Sequence, residues 1–107
     1  MTIRTGRAHK GWFLNQAAGD PTQGLAMKWG IHPAGDQRPA LSAPAETVSV
    51  AILIHGRFVL DFPGHGTVEL RQQGDWVQWP PGVTHTWWAV EASTVLTIRW
   101  QPGPRQI

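Results

Sequence analysis

Gly74-Asp75-Trp76-Val77-Gln78-Trp79-Pro80-Pro81-Gly82-Val83-Thr84-His85 is the stretch that decides the fold. Gly74-Asp75 signals a turn, and Trp76 to Trp79 is a short aromatic and β-branched run of strand character. Pro80-Pro81-Gly82 ends that run, because proline offers no N–H to a ladder and Pro-Gly turns the chain. Thr84 to Val90 then resumes an extended pattern, with His85 near its start. The reading is two strands joined by a stiff turn, with one imidazole just beyond it.

Outward from that stretch the same grammar repeats. Gly24 to His32 alternates: Leu25, Met27, Trp29 and Ile31 fall on one face, and Ala26, Lys28, Gly30 and His32 on the other. Val48 to His55 is a nearly continuous apolar run, as in a strand covered on both sides. Arg57 to Phe62 alternates again, Thr67 to Arg71 follows a Pro63-Gly64-His65-Gly66 connection, and Ser93 to Trp100 is the last strand. Gly11 to Leu14 reads as a short strand, Ala17 to Pro21 as a loop, and Gln37 to Ala45, with Pro39 and Pro44, as a long loop. No segment carries a helical period. Short strands at regular spacing with Gly and Pro turns predict an all-β protein, with strands near 25–32, 48–55, 57–62, 67–71, 76–79, 84–90 and 94–100.

The spacing of Gly74, Pro80, Gly82 and His85 resembles the second sequence motif of the cupin superfamily, with Ala89 where that motif ends in asparagine. The resemblance covers about residues 25 to 100. It implies a cupin-type double-stranded β-helix, a jelly-roll barrel of two antiparallel sheets. The first cupin motif keeps only its frame. Gly35 and Gly56 occupy its glycine positions, while its two histidines fall at Leu41 and Ala43 and its glutamate at Ser49. The resemblance implies iron, manganese, nickel or zinc held by three histidines and a carboxylate, a donor set suited to such ions. Only His85 is retained. A replacement set of His32, Glu46 and His85 requires the 37–45 loop to fold across the barrel mouth.

His85 is open to three readings: a metal ligand, an interior histidine bonded to a carbonyl or water, or a ligand-binding group without metal. Trp87 shares its strand parity and so points the same way, whereas Trp88 points outward. Trp76 and Trp79 have opposite parity, so one of them also faces out; Trp29 and Trp100 read as wall residues. Arg99 shares a face with Val95 and Thr97; if that face lines the interior, an arginine there favours an anionic ligand, and otherwise it sits at the rim or pairs with Asp61 or Glu69. His55 and His65 flank glycines in turns and read as exposed, and His9 is uninformative.

A length of 107 residues suits one domain: an N-terminal arm and edge strand over 1–23, a barrel core over 24–101 and a tail over 102–107. With no cysteine, disulfides and thiolate metal sites are excluded, which fits a reducing cytoplasm. No apolar run is long enough to span a bilayer, and no secretory leader is recognisable at the start. Nine Lys plus Arg against seven Asp plus Glu leave a net charge of only +2, and the cations are scattered, which argues against nucleic acid as a partner. Seven tryptophans and no tyrosine are unusual. Exposed tryptophan and open sheet edges predict a homodimer.

Nothing resembles a nucleophile elbow or a proton-transfer pair, so an enzyme assignment stays open. The leading expectation is a cupin-fold protein that binds a small molecule in the barrel cavity through His85, Trp87, His32 and Arg99. The alternatives are a divergent metal-dependent enzyme, of dioxygenase or isomerase type, and a structural or partner-binding module with a filled barrel.

Overall fold

The computed structural model describes residue 3, residues 5–13 and residues 24–102; the expected 17–21 loop and the end of the tail, 103–107, lie outside the described residues. Eight strands follow in order: β1 (Gly11–Phe13), β2 (Leu25–His32), β3 (Val48–His55), β4 (Phe58–Phe62), β5 (Gly66–Leu70), β6 (Trp76–Trp79), β7 (Thr86–Ala89) and β8 (Ser93–Trp100). Five of them form one antiparallel sheet in the order β1-β2-β8-β3-β6, and three form a second in the order β5-β4-β7. The described residues contain no helix. This is the expected all-β architecture of two packed antiparallel sheets. Strand ends differ from expectation by no more than one residue, except that the 84–90 stretch shortens to β7 and leaves His85 just before the strand.

The alternation of β4 explains the core. Phe58, Leu60 and Phe62 point between the sheets, and the ladder sets Leu70 of β5 and Ala89 of β7 beside Phe58. Ala51, Leu53, Trp79 and Val95 close the cluster from the larger sheet. Trp79 is buried while Trp76 is 63% exposed, because the pairing of Ser49 with Trp79 turns that tryptophan inward. Trp88 faces out from the smaller sheet as its parity requires. It sits directly across from Val59, which is buried although it too points away from the core.

Gly56 keeps its motif position for a steric reason. Its φ is +103°, and a Cβ there would stand 2.4 Å from both Ala92 O and Ser93 Oγ. Ser93 Oγ is buried at this corner, accepts the Arg57 N–H at 3.0 Å and lies 2.8 Å from Glu91 O. The turn into β6 is held by Asp75, whose Oδ2 accepts the N–H groups of Arg71 and Gln72.

The 37–45 segment forms no strand, only a bridge from Gln37 to Trp88, yet it is laced to the smaller sheet. Gly35 N–H donates to Ala89 O, Arg38 N–H to Trp87 O and Ser42 N–H to His85 O; Gly82 N–H donates to Ala45 O. It runs beside β7 as a strap, ending on the Pro-Pro-Gly turn.

The larger sheet has an unusual exterior. The register puts Trp29, Leu96, Ile52 and Trp76 in one row, and Phe13, Met27, Ile98 and Val50 in the next. All face away from the core. Most are only half-buried, and among the described residues this face carries no charge.

Candidate functional site

Between the sheets lies an open cavity of about 390 Å³. Strand pairing dictates its wall. Lys28 pairs with Thr97, and Thr97 with Ala51; Ala26 pairs with Arg99, and Arg99 with Ser49. Directly paired residues share a face, so the polar parity of β2 points into the barrel with Lys28, Gly30 and His32. From the smaller sheet Phe58, Leu60 and Trp87 complete the wall.

Two imidazoles are held on this wall in the same manner. His85 packs on Trp79 and Phe62, with ring centroids 4.8 and 5.8 Å away. Its Nδ1 lies 3.0 Å from Ser42 Oγ, and the same hydroxyl accepts the His85 N–H at 3.1 Å. The strap therefore fixes the ring from outside. His32 packs on Phe58 and Trp87 and hydrogen-bonds Asp36 Oδ2 through Nδ1 at 2.9 Å. A carboxylate accepts only, so His32 carries its proton on Nδ1 and Nε2 is the free lone pair. Gly30 makes room for that nitrogen, since a Cβ there would lie 2.7 Å from it.

Burial pulls both histidines below the ordinary imidazole range. For His32 the Asp36 hydrogen bond opposes the effect without reversing it; for His85 the nearby Arg38 and Lys28 add to it. Both rings are accordingly neutral at pH 7.

Cations gather at the Trp12 end. The Arg99 guanidinium stands 4.1 Å from the Trp12 ring centroid and the Lys28 ammonium 5.9 Å from it. Such stacking is a cation–π contact. Arg38 lines the same cavity from the strap, its Nε donating to Ala40 O. Burial first, then Arg38, Arg99 and Lys10, holds Lys28 below the usual lysine value. No carboxylate lines the cavity among the described residues.

Neither a protein-family description nor a curated protein matches this chain. Solved structures do match. A cupin protein from Bacteroides fragilis superposes with a TM-score of 0.75 at 19% identity, covering 98% of this chain and 88% of its own. A cupin superfamily protein from Desulfitobacterium hafniense gives a TM-score of 0.69 at 11% identity, over 94% and 84% of the two chains. The fold is that of a cupin. The cupin-2 domain of an XRE family transcriptional regulator from Enterobacter cloacae also matches, with a TM-score of 0.64 at 14% identity over 88% of this chain and all of that one.

The cupin metal centre is a test of the residues present. Of the positions that the first motif assigns to ligands, Ala43 and Ser49 face the cavity, as does His85, while Leu41 is exposed. The frame thus points where a cupin needs it, but a methyl and a hydroxymethyl stand where an imidazole and a carboxylate belong. The residues do not fit the metal. The alternative set fails on geometry as well. Glu46 is exposed and off the cavity wall, and no three His, Asp or Glu side chains among the described residues are grouped to share an ion. The strap does cross the mouth as that set required, but it presents Ser42 to His85 instead of Glu46.

The four ligand-binding candidates, His32, His85, Trp87 and Arg99, all line this one cavity. Arg99 finds neither Asp61 nor Glu69; Asp61 bonds Thr67, and Glu69 pairs with Arg57 and Arg71. His55 and His65 are exposed and away from it. Sequence reasoning missed Lys28, Arg38, Ser42 and Trp12. For Lys28 the signal was present, because it shares the parity of His32. Arg38 and Ser42 lie in an aperiodic segment that only long-range hydrogen bonds place.

Proposed function

We propose that this cupin domain binds a small organic molecule inside the barrel without a metal ion. The observation carrying the reading is the cavity, which occupies the place of a cupin metal centre and is walled by oriented polar groups and aromatic rings. Its volume falls at the low end of small-molecule sites, which run from roughly 300 to 1,000 Å³. That space favours this reading over a structural module whose barrel is filled by its own side chains. The test uses ligand-observed NMR with a fragment library on the native protein and on Ala43→Trp, which places an indole across the mouth. Fragments whose saturation transfer vanishes in the variant support the reading. A library giving no such fragment overturns it.

We also propose that a second copy of the chain covers the exterior of the larger sheet. The 31 residues of its five strands, about 4.8 Å apart with about 3.3 Å of rise per residue, give about 500 Å² per copy and about 1,000 Å² per pair, the size a biological interface has to clear. An uncharged face meets its own copy without like-charge repulsion. Sedimentation equilibrium is expected to give a dimer, and Leu96→Glu a monomer. A monomeric parent, or a dimer that survives Leu96→Glu, refutes it.

A further inference from the structure

Lys28, Arg38 and Arg99 present three basic side chains to one cavity, and among the described residues no carboxylate lines its wall to answer them. Lys28 and Arg99 share the Trp12 ring, so their charges lie within about a Debye length of each other. Gathering like charges in a half-buried space is unfavourable unless an opposite charge enters it. The one carboxylate beside the cavity, Asp36, is already engaged: Oδ2 holds His32 Nδ1 and Oδ1 accepts the Gln37 N–H. Arg38 spends only Nε on Ala40 O. Its two terminal nitrogens have no hydrogen-bond partner among the described residues and keep the fork geometry that matches a carboxylate or a phosphate.

Four residues along β2 from Lys28 the wall changes character. His32, Phe58 and Trp87 form a continuous ring cluster, with Phe58 and Trp87 stacked at 5.3 Å and 29°. The Lys28–Arg99 pair lies at the Trp12 end of β2 and the ring cluster at its His32 end, with Arg38 on the strap bonded to Trp87 O, an arrangement that suits a ligand with a charged and a planar part. We infer that the cavity takes an organic anion, its carboxylate or phosphate held by Lys28, Arg38 and Arg99 and its planar, unsaturated body against Trp87 and Phe58. The two neutral imidazoles lie beside the body, where the free Nε2 of His32 accepts a hydrogen bond from a hydroxyl or amine on the ligand. The depressed lysine value of Lys28 rises toward normal when such an anion is bound, because the entering charge offsets both burial and its cationic neighbours.

This inference rests on the reading of the cavity as a binding site, and the experiment separates the two. Isothermal titration compares benzoate, phenyl phosphate, inorganic phosphate and the neutral benzamide on the native protein, on Ala43→Trp and on Arg38→Gln. Arg38 is exposed on the strap, so its replacement leaves the core intact. Benzoate or phenyl phosphate is expected to bind well above benzamide. Arg38→Gln is expected to weaken the anion by about tenfold, the effect of one charge-assisted hydrogen bond, and to leave benzamide unchanged. A preference for benzoate identifies a carboxylate ligand, and a preference for phenyl phosphate, with competition by inorganic phosphate, a phosphate ester. Equal binding of benzoate and benzamide, both blocked in Ala43→Trp, leaves the binding site standing and overturns the anion. If no probe binds in a way that Ala43→Trp blocks, both fall.

Discussion

Gly30 is the position where a single methyl group tests the architecture of the site. It sits on the inward face of β2 between Lys28 and His32, and its missing side chain lets the His32 ring lie along the strand. Alanine would place Cβ 2.7 Å from His32 Nε2 and 3.2 Å from Val95 O. The ring has nowhere to retreat, because Trp87 and Phe58 pack on it at 4.5 and 5.0 Å and Asp36 holds Nδ1. Displacing it breaks a charge-assisted hydrogen bond and overpacks the wall. Asp36 is partly solvated, so water recovers some of the lost bond, and alanine stiffens the unfolded chain slightly. The expected net loss is about 2 kcal/mol. Urea unfolding followed by tryptophan fluorescence measures it, in the native background and again in His32→Ala. With the ring gone the methyl meets little resistance, so the two changes should couple by most of that loss. If Gly30→Ala is neutral in the native background, or equally harmful in both, His32 is not what the missing side chain accommodates.

Acid should destabilise the protein before its carboxylates titrate. Burial lowers His32 and His85 in the folded state, whereas the unfolded chain titrates them near 6.5, so it binds more protons just below that pH. The histidine contribution is therefore complete above 6.5 and declines as the pH falls toward the folded values; urea midpoints at about pH 7.5 and 5.5 should differ, and by less once His32→Asn and His85→Asn are combined. Thr47 Oγ1 is buried without a hydrogen-bond partner among the described residues. Thr47→Val should accordingly gain about 1 kcal/mol in the same assay, and a loss would show that the hydroxyl is satisfied by bound water.

What could be read from the chain beforehand divides along physical lines. Turn chemistry is local, so Gly74, Pro80, Gly82 and His85 announced both the barrel and the position of one imidazole. Strand parity is local too, and it carried Trp87 and Arg99 to the correct face. It could not choose between Trp76 and Trp79, since the two differ only in which of them the β3 ladder turns inward. The strap marks the limit. Nothing in the composition of residues 37–45 says that Ser42 meets His85 or that Arg38 joins Lys28. Those meetings depend on carbonyls some 43 positions away, such as that of His85. Glu46 illustrates the converse, being close in sequence to a lost ligand position and yet on the outside of the barrel.

One strand carries a consequence for how the barrel assembles. In most sheets the greasy side chains pull a strand into register, because a slip by one residue would wet them. In β2 that pull is reversed: Lys28 and His32 go in while Met27, Trp29 and Ile31 stay out. Considered alone, a slipped β2 would bury more apolar surface than the native one. Its alignment must come from the eight rungs it shares with β8, and from Trp12 crossing over to meet Lys28. The strand that furnishes the cavity is therefore expected to dock late in folding, after β3 and β8 present a finished edge, and pulse-labelled hydrogen exchange during refolding checks it by the order in which their amides become protected.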